Sequence, residues 1–336
     1  MPGSSAHVAP LLPRRLAPGD LVAVAAPSGA VRHPQRLSRG VAALRRLGFT
    51  VSTGPMTDHQ ARRDPRDRAA ELTTFLRDPQ VRAVVAAIGG HTSNGVLDLV
   101  DWSALRADPK PIIGYSDITA LLLAGLTVGN VVTFHGPTVL PEFAEYPRPL
   151  DYTRAGFLRV TGQPVPAGRV VPPPEWTEEF LAWGSDDVRP RRMAPAEGWQ
   201  WSGAAPATGP LIGGNLETLC ALGGTRYWPD WTGAVVLLET VTTEPEPVER
   251  CLAQLAMLGV FDGMVGLVAG RTLRGGAGVE QHWRELIRRW VPSRDVPMLF
   301  GADVGHTDPM ATLPIGVRVR LDPVAEVLEI VDAAVC

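Results

Sequence analysis

Apolar residues recur along this chain with two periods, and the way they alternate predicts its architecture. The first clear run, Asp20-Leu-Val-Ala-Val-Ala-Ala-Pro27, is apolar at every interior position and ends at Pro-Ser-Gly. A strand buried on both faces has that pattern. Leu37, Val41, Leu44 and Leu47 then recur at helical spacing, with Gly48 where a helix C′ residue belongs. Phe49 to Ser52, Val81 to Ile88, Pro111 to Gly114 and Val131 to Phe134 continue the strands. Arg68 to Arg77 and Ile118 to Leu126 supply helical patterns between them. Strands alternating with helices predict an α/β fold with a mainly parallel sheet flanked by helices.

Past Pro141 the pattern breaks. Pro164, Pro166 and Pro172 to Pro174 interrupt regular structure, and the stretch to Pro210 is rich in Trp, Arg and Gly. It reads as a linker plus a long loop. Trp176, Trp183, Trp199 and Trp201 argue against disorder there, and they serve either a functional loop or a small satellite core. Regular patterning resumes at Leu211, with a buried strand over Ala234 to Leu238 that ends at Glu239. A helix start follows at Glu244 to Pro247, with Val248, Leu252, Leu255 and Leu258 on one face. Val265 to Gly270, Met298 to Gly301, Val317 to Leu321 and Glu326 to Val331 read as further strands. Three units are expected: an α/β domain over 1–145, a linker and Trp-rich loop over 146–209, and a smaller α/β domain with a β-rich core over 210–336.

Composition narrows the function classes. The chain has 336 residues, 45% hydrophobic and 20% charged, which suits globular domains with sizeable cores. A formal net charge of -3, with no long basic run, leaves no footprint for nucleic acid. No stretch reaches the length of a membrane span, and Val8 to Leu12 is too short for a signal-peptide core. The expected compartment is the cytoplasm. Cys220, Cys251 and Cys336 are odd in number and lack C-x-x-C spacing, so neither a disulfide framework nor a zinc site is expected.

The richest chemical signal is Lys110-Pro-Ile-Ile-Gly-Tyr-Ser-Asp-Ile-Thr-Ala-Leu-Leu-Leu-Ala124. A strand, a Gly-bearing turn and a helix start lift Ser116 to the end of the sheet, where acyl-transfer enzymes hold a nucleophile. Ile118 stands where the G-x-S-x-G elbow has its second glycine, so that motif is not met. A nucleophilic serine needs a base, and the base needs a carboxylate. His7, His33 and His59 lie in polar segments and His282 in a polar helical stretch, which leaves His91, His135 and His306 open. Glu239 is the carboxylate that stands out, because it ends an apolar strand at the mouth of a sheet. In Ala86-Ala-Ile-Gly-Gly-His-Thr-Ser-Asn94 two glycines follow a strand, so backbone N–H groups there can approach an oxyanion, with the N–H of Asp117 as the other donor.

In this order, the segments Gly19 to Ser28, Ile88-Gly-Gly90 with Ser93-Asn94, Gly114 to Thr119, Phe134-His-Gly-Pro137, Ile212 to Leu216, Leu237-Leu-Glu239 and Gly301 to His306 resemble the LD-carboxypeptidase family of serine peptidases. The resemblance covers nearly the whole chain. It implies a Ser116, His306 and Glu239 triad, an oxyanion hole at Gly90 and Asp117, His135 as a structural residue in the site floor, and no metal or organic cofactor. It also implies a site between two lobes and a homodimer. Two subgroups divide the family: cytoplasmic murein-recycling enzymes that release a terminal D-alanine, and immunity-type (MccF-like) enzymes that hydrolyse an aminoacyl-nucleotide amide. The Trp-rich loop and the Ile-Gly-Gly form look more like the immunity type. Trp183 then falls near a nucleobase-stacking position, and Gly89, Ser93, Asn215 and Arg271 are expected beside the substrate. Thr92 and Leu273 depart from that subgroup, where an Asn and an acidic contact are usual. The expected partner is a small peptide-like molecule. A non-catalytic binder that sequesters a toxin, or an acyltransferase using the same acyl-enzyme, are the alternatives.

Overall fold

The computed structural model describes residues 9–273, 276–291 and 295–336. His7 and Val8, considered above, lie outside them. Strand Leu21–Ala25 is buried along most of its length because Thr50–Thr53 and Val81–Ala86 flank it, both parallel to it. The first sheet runs, in spatial order, Leu313–Ile315, Thr133–His135, Ile112–Gly114, Val81–Ala86, Leu21–Ala25 and Thr50–Thr53. All pairs are parallel except the first, in which Leu313–Ile315 lies antiparallel to Thr133–His135. A strand from the carboxyl-terminal region therefore closes the edge of the amino-terminal sheet.

The second sheet has eight strands: Gly168–Val170, Val327–Ile330, Arg318–Asp322, Ala207–Asn215, Val235–Glu239, Gly266–Gly270, Met298–Ala302 and Gln200–Ser202. Ala207–Asn215 through Met298–Ala302 run parallel, and antiparallel strands complete both sides. This is the β-rich second lobe of an α/β fold.

Helix Pro34–Arg46 ends as its sequence demands, with Leu47 at the C-cap and Gly48 at φ 97°. Helix Thr119–Thr127 has apolar residues all round, and it lies between the two sheets, touching strands of both. Gly214 makes that junction close. A Cβ there would stand 2.4 Å from Thr119 Oγ1, and the Asn215 N–H donates to the same oxygen at 3.0 Å.

The segment 146–209 is more ordered than a linker and loop. It holds helix Asp151–Gly162 and strands that join the second sheet at both of its edges. The helix buries few side chains, Thr153, Phe157, Val160 and Thr161, so its apolar stripe is too thin to stand out beside the prolines. Phe157 packs edge-on to Phe143 at 5.2 Å. Among the described residues no helix is long and apolar enough to cross a membrane.

Candidate active site

Ser116 follows strand Ile112–Gly114 and opens a single 3-10 turn, Ser116–Ile118, that leads into helix Thr119–Thr127. Its φ of 60° is left-handed, a conformation that costs a non-glycine residue about 1–2 kcal/mol. The neighbours hold it there. A Cβ on Gly114 would meet Ile118 Cγ2 at 2.8 Å and Ala86 Cβ at 3.2 Å, so the turn folds back directly over a bare backbone. Ile118 is thus the packing partner of Gly114, which explains why an isoleucine stands where a hydrolase elbow has glycine.

His306 comes from the loop after strand Met298–Ala302. Its Nε2 lies 3.2 Å from Ser116 Oγ and its Nδ1 2.8 Å from Glu239 Oε2. With Nδ1–H donated to the carboxylate, the Nε2 lone pair faces the serine hydroxyl. Glu239, at the end of Val235–Glu239, is 1% exposed. Two glycines wrap it: a Cβ on Gly305 would come within 2.7 Å of Oε2, and one on Gly270 within 3.0 Å of the Glu239 Cβ. Burial works to raise the Glu239 carboxyl, but the attraction and hydrogen bond of His306, with His135 and Asn215 assisting, hold it below its ordinary value. Burial works to lower His306, and Glu239 outweighs it, so the imidazole is held above its ordinary value. Tyr115 lies edge-on to His306 at 5.1 Å and is tied by its hydroxyl to Glu142 Oε1 at 2.8 Å. Burial, with Asp308 adding repulsion, pushes Glu142 up to about 8 against the hydrogen bonds of Thr138 and Tyr115.

The glycine loop faces the serine from the other side. A Cβ on Gly89 would stand 2.9 Å from Ser116 Cβ, and one on Gly90 would strike Ser28 Oγ at 2.4 Å. The buried Asp117 side chain binds this loop to the nucleophile turn: Oδ2 accepts from Ser28 Oγ and from the Ser93 N–H at 2.8 Å, while Ser93 Oγ donates to the Asp117 carbonyl at 2.5 Å. The Asp117 N–H itself lies in the first turn, where N–H groups have no helical acceptor.

A cleft of about 520 Å³ opens in front of Ser116 and His306, with Gly89, Gly90, Tyr115, Trp183 and Leu273 in its lining. Arg36 lies 4.4 Å over the Trp183 ring and is itself held by Asp187 at 2.6 Å. Arg191 bridges Glu145 and Asp308 at 2.6 and 2.8 Å, and Arg189 pairs with Glu179. Among the described residues no group of three or more His, Cys, Asp or Glu side chains could hold a metal ion.

The structure brings Ser116, His306, Glu239, Gly89, Gly90, Asp117 and Trp183 to one place. Ser93, Asn215 and Arg271, expected beside the substrate, are not in the cleft lining, and each has another occupation. Ser93 is fully buried against Asp117. Asn215 caps helix Leu216–Leu222 through the Thr218 N–H, in register beside Glu239. Arg271 pairs with buried Asp303 at 3.2 Å and covers the Trp176 ring at 4.5 Å. The tryptophans divide accordingly. Trp199 donates to Asp303 at 2.7 Å, Trp201 sits on an edge strand, and Trp183 is the one of the four that lines the cleft. His91 is exposed, whereas His135 is fully buried in its strand, with no hydrogen bond to either ring nitrogen among the described residues. Sequence reasoning gave no role of their own to Ser28 and Tyr115, although both lie in the quoted segments Gly19 to Ser28 and Gly114 to Thr119, and missed Glu142, which lies in none.

Residues 22–136 match the LD-carboxypeptidase N-terminal domain and residues 208–321 the LD-carboxypeptidase C-terminal domain. The chain is 31% identical to the microcin C7 self-immunity protein MccF of Escherichia coli, over 93% of each chain. It is 35% identical to a Vibrio cholerae protein designated a carboxypeptidase, over 93% of this chain and 95% of that one. MccF in complex with glutamyl sulfamoyl guanosine superimposes with a TM-score of 0.91 at 29% identity, covering 97% of this chain and 100% of that one. MccF has also been solved with aspartyl sulfamoyl adenosine, with a TM-score of 0.90 and 30% identity.

Proposed function

This chain belongs to the LD-carboxypeptidase family, and we propose that it is a serine hydrolase that cleaves an amide bond in a small aminoacyl-nucleotide or peptide-like molecule through an acyl-enzyme. The observation that carries the reading is the continuous relay from Ser116 Oγ through both nitrogens of His306 to Glu239. Ser116 attacks the carbonyl while His306 Nε2 takes its proton. Glu239 keeps Nδ1 protonated and stabilises the imidazolium that forms. The N–H groups of Gly90 and Asp117 receive the oxyanion, each donor contributing about 2.7–4 kcal/mol. His306 then returns the proton to the leaving nitrogen, and water, activated by the same imidazole, releases the acyl group.

The immunity-type substrate is favoured over a murein tetrapeptide because Trp183 presents an aromatic side chain in the cleft wall, where a nucleobase can stack. A dimeric assembly and a cytoplasmic site of action belong to the same reading. The deciding experiment compares hydrolysis of an aminoacyl sulfamoyl adenosine with release of D-alanine from an L-Lys or diaminopimelate tetrapeptide, using native protein and Ser116→Ala. Turnover of the nucleoside by the native protein, a fluorophosphonate adduct on Ser116, and loss of both in the variant are expected. Full turnover by Ser116→Ala would remove the mechanism, and turnover of the tetrapeptide alone would remove the substrate.

A further inference from the structure

Cys220 and Cys251 stand 31 positions apart in sequence, and folding brings them side by side. Cys220 lies on helix Leu216–Leu222 and Cys251 on helix Pro245–Met257, two helices that pack directly on one another. The Cys220 thiol reaches the Cys251 backbone carbonyl at 3.5 Å, which places it against the residue that carries the second thiol. Both side chains are half-buried, so a small oxidant can reach them, and both thiols are free. Their chemistry is asymmetric. The interaction between the two thiols, with burial, raises Cys220, and the same interaction lowers Cys251 despite its burial. One sulfur is thus the readier thiolate, and the other is positioned to resolve what forms on it.

We propose that Cys220 and Cys251 form a reversible intramolecular disulfide when the protein meets a peroxide. The Cys251 thiolate attacks one peroxide oxygen, the O–O bond breaks, and the departing hydroxide takes a proton to become water. Cys251 is left as a sulfenic acid. The Cys220 sulfur then attacks that sulfur, the S–O bond breaks, and the leaving hydroxide takes the Cys220 proton as a second water. Two thiols and one peroxide give one disulfide and two waters, the two electrons passing from sulfur to peroxide oxygen. The crosslink joins the helices that follow two adjacent strands, Ala207–Asn215 and Val235–Glu239, whose last residues are Asn215 and Glu239. It therefore braces the region that holds Glu239.

The test uses the full chain carrying Cys336→Ser, which removes the exposed third thiol and with it crosslinking between copies. Treatment with one equivalent of hydrogen peroxide is expected to abolish both remaining titratable thiols and to lower the intact mass by two hydrogens. A peptide linking Cys220 to Cys251 should appear on proteolysis, and dithiothreitol should reverse all three changes. The closed loop should also raise the thermal midpoint by about 5 °C. Cys220→Ser in the same background should instead accumulate oxygen on Cys251. Two persistent thiols, or a mass gain of oxygen with the Cys220 thiol intact, would overturn the proposal. Because these readouts need no substrate, their result is independent of the proposed hydrolytic reaction.

Discussion

Gly89 and Ser116 face each other so closely that a methyl group on the glycine would stand 2.9 Å from the serine Cβ and 3.0 Å from its Oγ. Backbone alone fits against the nucleophile. Gly89→Ala is therefore expected to displace Ser116 and cut kcat/KM by at least about a hundredfold, as small misplacements of reacting groups do. Circular dichroism should show the fold retained. A variant with native turnover would show that the loop yields freely and positions nothing.

The relay between Glu239 and His306 sets a pH dependence. Catalysis needs His306 neutral, and Glu239 holds the imidazole above its ordinary value, so activity should fall as pH drops through that raised value. Glu239→Gln removes the attraction and leaves the burial, which lowers the imidazole. The acid limb of the kcat/KM profile should shift to lower pH, while the rate at its plateau drops by about 10⁴-fold. An unmoved acid limb would mean that another group controls it.

Trp183 and Trp176 come from one segment and should answer differently to truncation. Trp183→Ala removes an aromatic side chain from the cleft, so KM for a nucleoside substrate should rise about tenfold, corresponding to the lower part of the range for base stacking. Its thermal midpoint should also fall, because Arg36 lies over the same ring. Trp176→Ala uncovers Arg271 and should lower the midpoint with KM unaltered. Measuring both parameters on both variants separates binding from support.

Arg271 is the cation for buried Asp303, and removing it leaves that carboxylate with the Trp199 indole as a remaining donor. Arg271→Met should destabilise the fold by about 3 kcal/mol in urea unfolding, since it strands a buried charge. The turnover number of the folded fraction should stay native. A loss of kcat without a loss of stability would return Arg271 to the substrate.

Much of this protein could be read along the chain. The strand from Leu21, the helix ended by Gly48 and the apolar run into Glu239 each state their role locally, because burial on two faces, a left-handed C′ position and a carboxylate at a sheet mouth leave marks in consecutive residues. Helix Asp151–Gly162 left almost none, since it buries one thin stripe amid prolines. The histidines show where local information ends. His135 and His306 both lie near a glycine and an apolar run, yet one is sealed inside the first sheet and the other is held between Ser116 and Glu239.

By itself, then, the order of residues determined the α/β layering, the turn at Ser116 and the set of groups able to do chemistry, all of which depend on neighbours within a few positions. Tertiary structure decided which of those groups meet. The meeting of Ser116 with His306 depends on how two sheets pack about helix Thr119–Thr127, that of Asp117 with Ser28 and Ser93 on the neighbouring strand ends of the first sheet, and those of Arg271 with Asp303 and of Cys220 with Cys251 on neighbouring elements of the second. Contacts across such distances arise from the packing of whole elements, and no spacing within a short stretch of sequence encodes them.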